Sequence, residues 1–179
     1  MRNLYAFLFG LILFLTSPFQ AVSAADYAYT LDWLEPNMHT YVISLEVGAD
    51  ADGMTEFCLP AWRPGRYYFQ NYAAAVSHFE AFDGEGKKLA WEKRNKDTWS
   101  VQQQNGRIML RYHFLANQFD AGSSYVGRDQ LYINPVNCMM YVKGRLDGSV
   151  QLNIPRLPKD WKVATALQQG EMHSRFTAD

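Results

Sequence analysis

Residues 27–47 decide the fold: Tyr27-Ala28-Tyr29-Thr30-Leu31-Asp32-Trp33, a break at Pro36-Asn37, then Tyr41-Val42-Ile43-Ser44-Leu45-Glu46-Val47. In both runs large apolar side chains recur at every second position, the period at which successive residues of a strand face opposite sides. Tyr27, Tyr29, Leu31 and Trp33 therefore share one face, as do Tyr41, Ile43, Leu45 and Val47, and the Pro-Asn turn predicts that the two strands pair as a hairpin. Outward from there, Gly48 to Gly53 is a polar turn and Thr55 to Leu59 a short strand stopped by Pro60. Val76 to Phe82 and Lys88 to Glu92 flank Asp83-Gly84-Glu85-Gly86. Thr98 to Gln102 and Arg107 to Leu115 flank Asn105-Gly106, the strongest short hairpin signal in the chain. Gln130 to Ile133, Met139 to Lys143 and Val150 to Ile154 read as further strands.

About ten short strands separated by turn residues predict an all-β fold, an antiparallel sandwich or a saddle-like pair of sheets, in one domain. The two helical candidates are short, a turn or two at Tyr72 to Val76 and a piece at Ala164 to Gln168. Composition agrees: of 179 residues, 48% are hydrophobic and 15% aromatic, and aromatics suit a pleated, half-buried surface. Seventeen basic against eighteen acidic residues leave a net charge of −1, with no surplus to neutralise a phosphate backbone, so nucleic acid is not an expected partner.

The first residues read as a leader. Arg2 precedes the apolar run Leu4 to Leu15, Thr16-Ser17-Pro18 breaks it, and Val22-Ser23-Ala24 offers small residues for cleavage. A spanning helix needs roughly 20 apolar residues, so this order predicts a signal peptide over 1–24 and an exported domain over 25–179, periplasmic or secreted and without a membrane span once cleaved. Export permits disulfides, and Cys58 and Cys138 could pair or stand as separate buried thiols; spacing leaves both open.

Chemistry-bearing motifs are scarce. His39, His78, His113 and His173 are far apart in sequence, with no H-E-x-x-H to put two imidazoles on one helix face. No nucleophile elbow, phosphate loop or dinucleotide-binding glycine motif occurs, and Asp83 and Glu85 sit in a turn that solvates carboxylates. One stretch is distinctive: Leu59-Pro60-Ala61-Trp62-Arg63-Pro64-Gly65-Arg66-Tyr67. Two prolines fix φ on either side of a Trp and a glycine permits a sharp turn, so a stiff, aromatic-bearing loop is expected. Trp62 either closes one end of the core or serves a contact or binding surface.

This loop resembles the L-P-x-W-x-P-G-x-Y signature of the N-terminal domain of the glycyl aminopeptidase family of gluzincin metallopeptidases. Further residues follow in that family's order: His39; Val76, Phe79 and Ala81; Gly86, Leu89 and Lys93; Lys96-Asp97-Thr98-Trp99; Tyr112; Asp129-Gln130 with Asn134; and Pro158, Trp161, Ala164, Thr165 and Leu167. The resemblance implies a non-catalytic β domain preceding a zinc catalytic domain that carries H-E-x-x-H, often with a PDZ-like domain beyond. That motif is absent here, so the resemblance implies no catalytic residue and no metal ligand in this chain, and no cofactor of its own, the zinc belonging to the catalytic domain. The ending Phe176-Thr177-Ala178-Asp179 resembles the start of a linker, as in a truncated product, a fragment or one half of a split enzyme.

By the same resemblance, the polar segment from Tyr125 to Asn137, with Arg128, Asp129, Gln130, Tyr132 and Asn134, would line the substrate cleft and meet a peptide's amino group. Trp62, Arg63, Pro64, Gly65 and Tyr67 would form an interdomain or binding loop, at or near the rim of an exposed apolar patch. The expected partners are a catalytic domain, in cis or in trans, and a peptide. A free-standing binder using Trp62, Tyr67 and Tyr68 as a stacking platform for peptide or sugar is the alternative.

Overall fold

The computed structural model describes residues 25–178 apart from 66 and 104; the leader expected over 1–24 lies outside them. Thirteen strands are defined among the described residues. The first half of the chain contributes β1 (Tyr27–Trp33), β2 (Thr40–Gly48), β3 (Met54–Cys58), β4 (Val76–Asp83), β5 (Trp91–Lys93) and β6 (Thr98–Gln102). The second half contributes β7 (Arg107–Leu115), β8 (Tyr125–Val126), β9 (Leu131–Tyr132), β10 (Tyr141–Val142), β11 (Val150–Asn153), β12 (Gln168–Gln169) and β13 (Arg175–Ala178). One helical turn, α1 (Pro135–Cys138), and 3-10 turns at Pro36–Met38 and Tyr72–Ala75 complete the elements.

The strands form a seven-stranded sheet in the order β12-β13-β11-β1-β2-β7-β4, a four-stranded sheet in the order β10-β3-β6-β5, and the small hairpin β8-β9. All-β architecture is thus observed. The predicted hairpin of β1 and β2 is present, with Tyr29 opposite Leu45 and Trp33 opposite Tyr41. One pairing departs from the antiparallel rule: β1 runs parallel to β11, Tyr27 aligned with Val150.

The two main sheets bury their inner faces against each other. Leu31, Ile43, Leu45, Val47, Leu110 and Tyr112 from the large sheet meet Phe57, Trp99 and Val101 from the small one in a single core. Phe79 of β4 stacks on Trp99 of β6 at 5.6 Å between ring centroids, bridging the sheets. Large rings at alternate positions fill this interface where two apolar faces must interdigitate.

Four core tyrosines carry a second task. The Tyr29 hydroxyl donates to the Met140 carbonyl at 2.7 Å, Tyr41 to the Tyr125 carbonyl at 2.7 Å, Tyr112 to the Cys138 carbonyl at 2.7 Å, and Tyr27 to the Arg145 carbonyl. All four acceptors lie between residues 125 and 145, where short strands leave many backbone groups without a ladder partner. The large sheet thereby holds an irregular segment by hydrogen bonds sent out from its own core.

Several sequence expectations are corrected. Asn105 and Gly106 do adopt positive φ, 62° and 80°, but they join strands of different sheets: β7 pairs with β2 along its whole length and with β4, not with β6. The Asp83–Gly86 turn likewise closes only a bridge between Phe82 and Lys88 before β5 leaves for the small sheet. No helix forms at Ala164 to Gln168, which is irregular and leads into β12. Phe176 does not begin a linker; it is buried in β13, which pairs with β11 and β12. Cys58 and Cys138 are free, each a buried thiol with its own neighbour: Cys58 Sγ lies 3.5 Å from Thr98 Oγ1, and Cys138 donates to the Asn134 carbonyl at 3.4 Å. Burial pushes the Cys138 thiol up to about 12 and raises Cys58 as well, so neither is a ready thiolate.

Candidate functional site

The proline-framed loop starts from the core and ends in solvent. Leu59 is buried, and its amide donates to the Asp97 carbonyl at 3.0 Å. The loop closes where the Gln70 amide meets the Ala61 carbonyl at 2.7 Å, and Lys96 Nζ reaches the Gln70 carbonyl at 3.3 Å. Leu59-Pro60-Ala61-Trp62 and Lys96-Asp97-Thr98-Trp99, far apart in sequence, are therefore one structure: the second stretch supplies the base on which the first is mounted. Gly65 turns the tip with φ 83°, a conformation that an L side chain resists. Trp62 is 51% exposed, Tyr67 100% and Phe69 82%, with Tyr68 also exposed. Arg63 is half-buried, and Pro64 is exposed beside Gly65. The aromatics are not the plug of the core: each is exposed.

The second candidate segment is a hairpin. β8 and β9 pair through Tyr125–Tyr132 and Val126–Leu131, and the Gly127 amide closes the turn on the Gln130 carbonyl at 3.0 Å. A Cβ at Gly127 would fall 2.7 Å from the Tyr125 ring, so any larger residue there would have to displace that ring. Arg128, Asp129 and Gln130 stand together, exposed at its tip. Tyr132 does not join them. It meets Phe119 edge-on at 5.7 Å, and Phe119 meets Tyr125 at 5.6 Å, an aromatic cluster left in solvent with Phe119 64% exposed.

Asn134 is structural through its backbone, its amide donating to Ser124 Oγ and its carbonyl receiving the Asn137 amide at the start of α1. The hairpin is tied to the β1–β2 turn by His39, whose Nδ1 lies 2.7 Å from the Val126 carbonyl.

Three features have no clear sequence signal. His78 and His113, distant in the chain, lie with ring centroids 4.5 Å apart where β4 bulges between Ser77 and Glu80. Burial first, and the neighbouring His78 second, hold the His113 imidazole below its usual value. An apolar groove of about 470 Å³ opens between the sheet end and the 157–167 stretch, lined by Tyr132, Leu157, Trp161, Val163, Leu167 and Phe176 among others. A second hollow, between the 70–75 stretch and the 114–137 segment, is of mixed polarity with no charged residue in its lining. Among the described residues no three of His, Cys, Asp or Glu come together as a metal site, and no helix is long and apolar enough to cross a membrane.

The profile of the peptidase M61 N-terminal domain matches residues 28–179. This chain belongs to that family. Among solved structures, the M61 N-terminal domain is similar to an aminopeptidase N family protein from Idiomarina loihiensis, with 26% identity and a TM-score of 0.76. The match covers 86% of this chain and 27% of the other, so the domain spans about a quarter of that protein. No curated protein matches.

Proposed function

We propose that the chain is the non-catalytic β domain of an exported aminopeptidase-type metallopeptidase, packing beside a zinc catalytic domain supplied in cis or in trans. The observation that carries this reading is the loop at Trp62, Tyr67, Tyr68 and Phe69: four large exposed aromatics on one short segment whose base is anchored by the Leu59–Asp97 hydrogen bond. Exposed apolar surface of that kind, on a stiff support, suits a contact that is completed by another body. The Arg128–Gln130 tip then faces the substrate's amino end, where the Asp129 carboxylate and the Gln130 amide oxygen are acceptors for an ammonium group. On this reading the zinc would be held by the catalytic domain.

The test is association. The chain, mixed with a separately produced M61 catalytic domain, is expected to form a complex by analytical ultracentrifugation, and the pair Trp62→Ser and Tyr67→Ser is expected to weaken it by roughly tenfold or more, as loss of aromatic anchors does. No complex, or one indifferent to both substitutions, would sink the reading. For export, N-terminal sequencing of the protein recovered outside the cytoplasm is expected to start at Ala25.

A further inference from the structure

The apolar groove between the sheet end and the 157–167 stretch encloses about 470 Å³, within the roughly 300–1,000 Å³ of small-molecule sites. Leu152, Ile154 and Phe176 form its floor, buried where β11 and β13 pair. Its far wall is the irregular run from Trp161 to Leu167, which has no ladder partner until β12 begins. Val163, Ala164 and Ala166 stand on that wall exposed, apolar side chains left uncovered along the lip of an apolar groove. Contiguous apolar surface of this sort marks a binding groove. Tyr132 carries it further, since its ring lines the groove and also meets the exposed Phe119.

The polar groups of the lining decide what fits. Its one charged residue is Lys162, exposed and in none of the ion pairs among the described residues, and it includes no carboxylate. The other polar side chains are Tyr132 and Thr165, and Thr165 Oγ1 already receives the Leu167 amide at 3.2 Å. A peptide laid here would withdraw an amide from water at every residue, with few side chains to answer it. An alkyl chain needs no hydrogen bond. An anionic head at the lip stays hydrated and finds its counter-charge in Lys162.

We propose that this groove binds a single-chain anionic amphiphile, an alkyl carboxylate, with its chain on Leu152, Ile154 and Phe176 and its head beside Lys162. No residue of the 62–69 loop lines the groove, so the site does not depend on the docking role given to that loop.

Hexanoate, octanoate and decanoate, each below its micellar concentration, are titrated calorimetrically into the chain at neutral pH, with octanol as the uncharged counterpart. Affinity is expected to rise roughly threefold for each added methylene, as apolar area leaves water. Lys162→Met keeps the stem and removes the charge, so octanoate should weaken by about twofold to fivefold, the worth of an exposed ion pair, while octanol is unchanged. Val163→Asp, at an exposed position where the fold tolerates a polar residue, sets a like charge on the wall and should weaken octanoate roughly fivefold or more. No saturable heat with any of the acids, or an affinity indifferent to chain length, would overturn the proposal. So would Lys162→Met acting alike on octanoate and octanol, or Val163→Asp binding as the unaltered chain does. No catalytic domain is present in the titration, so the two proposals can fail separately.

Discussion

Tyr112 shows how much one side chain carries. It is fully buried on β7, its hydroxyl donates to the Cys138 carbonyl and also receives the Met140 amide at 3.1 Å. Tyr112→Phe keeps the ring and leaves two buried backbone groups unpaired, so a loss of about 1–3 kcal/mol is expected in urea unfolding. An unchanged midpoint would mean that water replaces the hydroxyl. Phe176 gives the contrasting case of pure packing: Phe176→Ala on β13 removes a buried ring, and a loss of about 3–5 kcal/mol is expected by the same measurement. If 175–178 behaved as a linker, that substitution would be silent.

Residues such as Tyr112 were legible as core from alternation, but their hydroxyl partners were not, since nothing local in the sequence says that a ring on β7 will find a carbonyl at residue 138. The same limit applies to Asn137. Read locally it is a loop amide, and only the fold sets its Nδ2 on the Gly122 carbonyl.

At the level of elements, the sequence reading succeeded where a strand has one wet and one dry face. β1 and β7 alternate buried with more exposed positions along their lengths, and both were bounded closely by periodicity. It failed where partner choice is global. Asn105-Gly106 has the backbone of a tight turn, yet a turn fixes only the local reversal of the chain. The nine-residue register between β2 and β7 outweighs what the five residues of β6 could offer. Gly106→Ala should therefore cost about 1 kcal/mol from positive φ alone, read as a lower thermal midpoint, with both sheets intact by amide exchange. Loss of protection confined to β6 and β7 would show that the turn does organise a pairing. Of the candidate site, the proline-framed loop was visible because prolines and glycine have local meaning, whereas the Arg128–Gln130 tip was reached only through the family resemblance. The Phe119 cluster and the neutral hollow were not, being assembled from segments that say little alone.

The molecule as a whole should be sensitive to alkali. Burial is the leading cause that raises Tyr27, Tyr29, Tyr41 and Tyr112 above the usual phenol value. A group whose pKa is raised by folding keeps its contribution below the unfolded value and loses it as pH climbs. The unfolded chain sheds these protons near pH 10 and the folded chain does not, so stability should be flat to about pH 9 and then fall by up to ~1.4 kcal/mol per pH unit for each tyrosine still protonated in the fold. Urea midpoints at pH 8 to 12, with phenolate absorbance recorded alongside, check this; tyrosines that ionise before the fold is lost would contradict it.

The parallel alignment of β1 with β11 has a consequence in time. Asp26 hydrogen-bonds Ser149, 123 residues away, and beside that contact Tyr27 aligns with Val150. Hairpin β1–β2 can form as soon as it exists, but the other edge of β1 stays vacant until the far end of the chain arrives. Sequence separation of that size slows folding, because loop closure must precede the contacts that reward it. A ribosome making this chain exposes its first strand early and supplies that strand's second neighbour late, so the nascent domain passes through an interval in which it is two-sided in design and one-sided in fact.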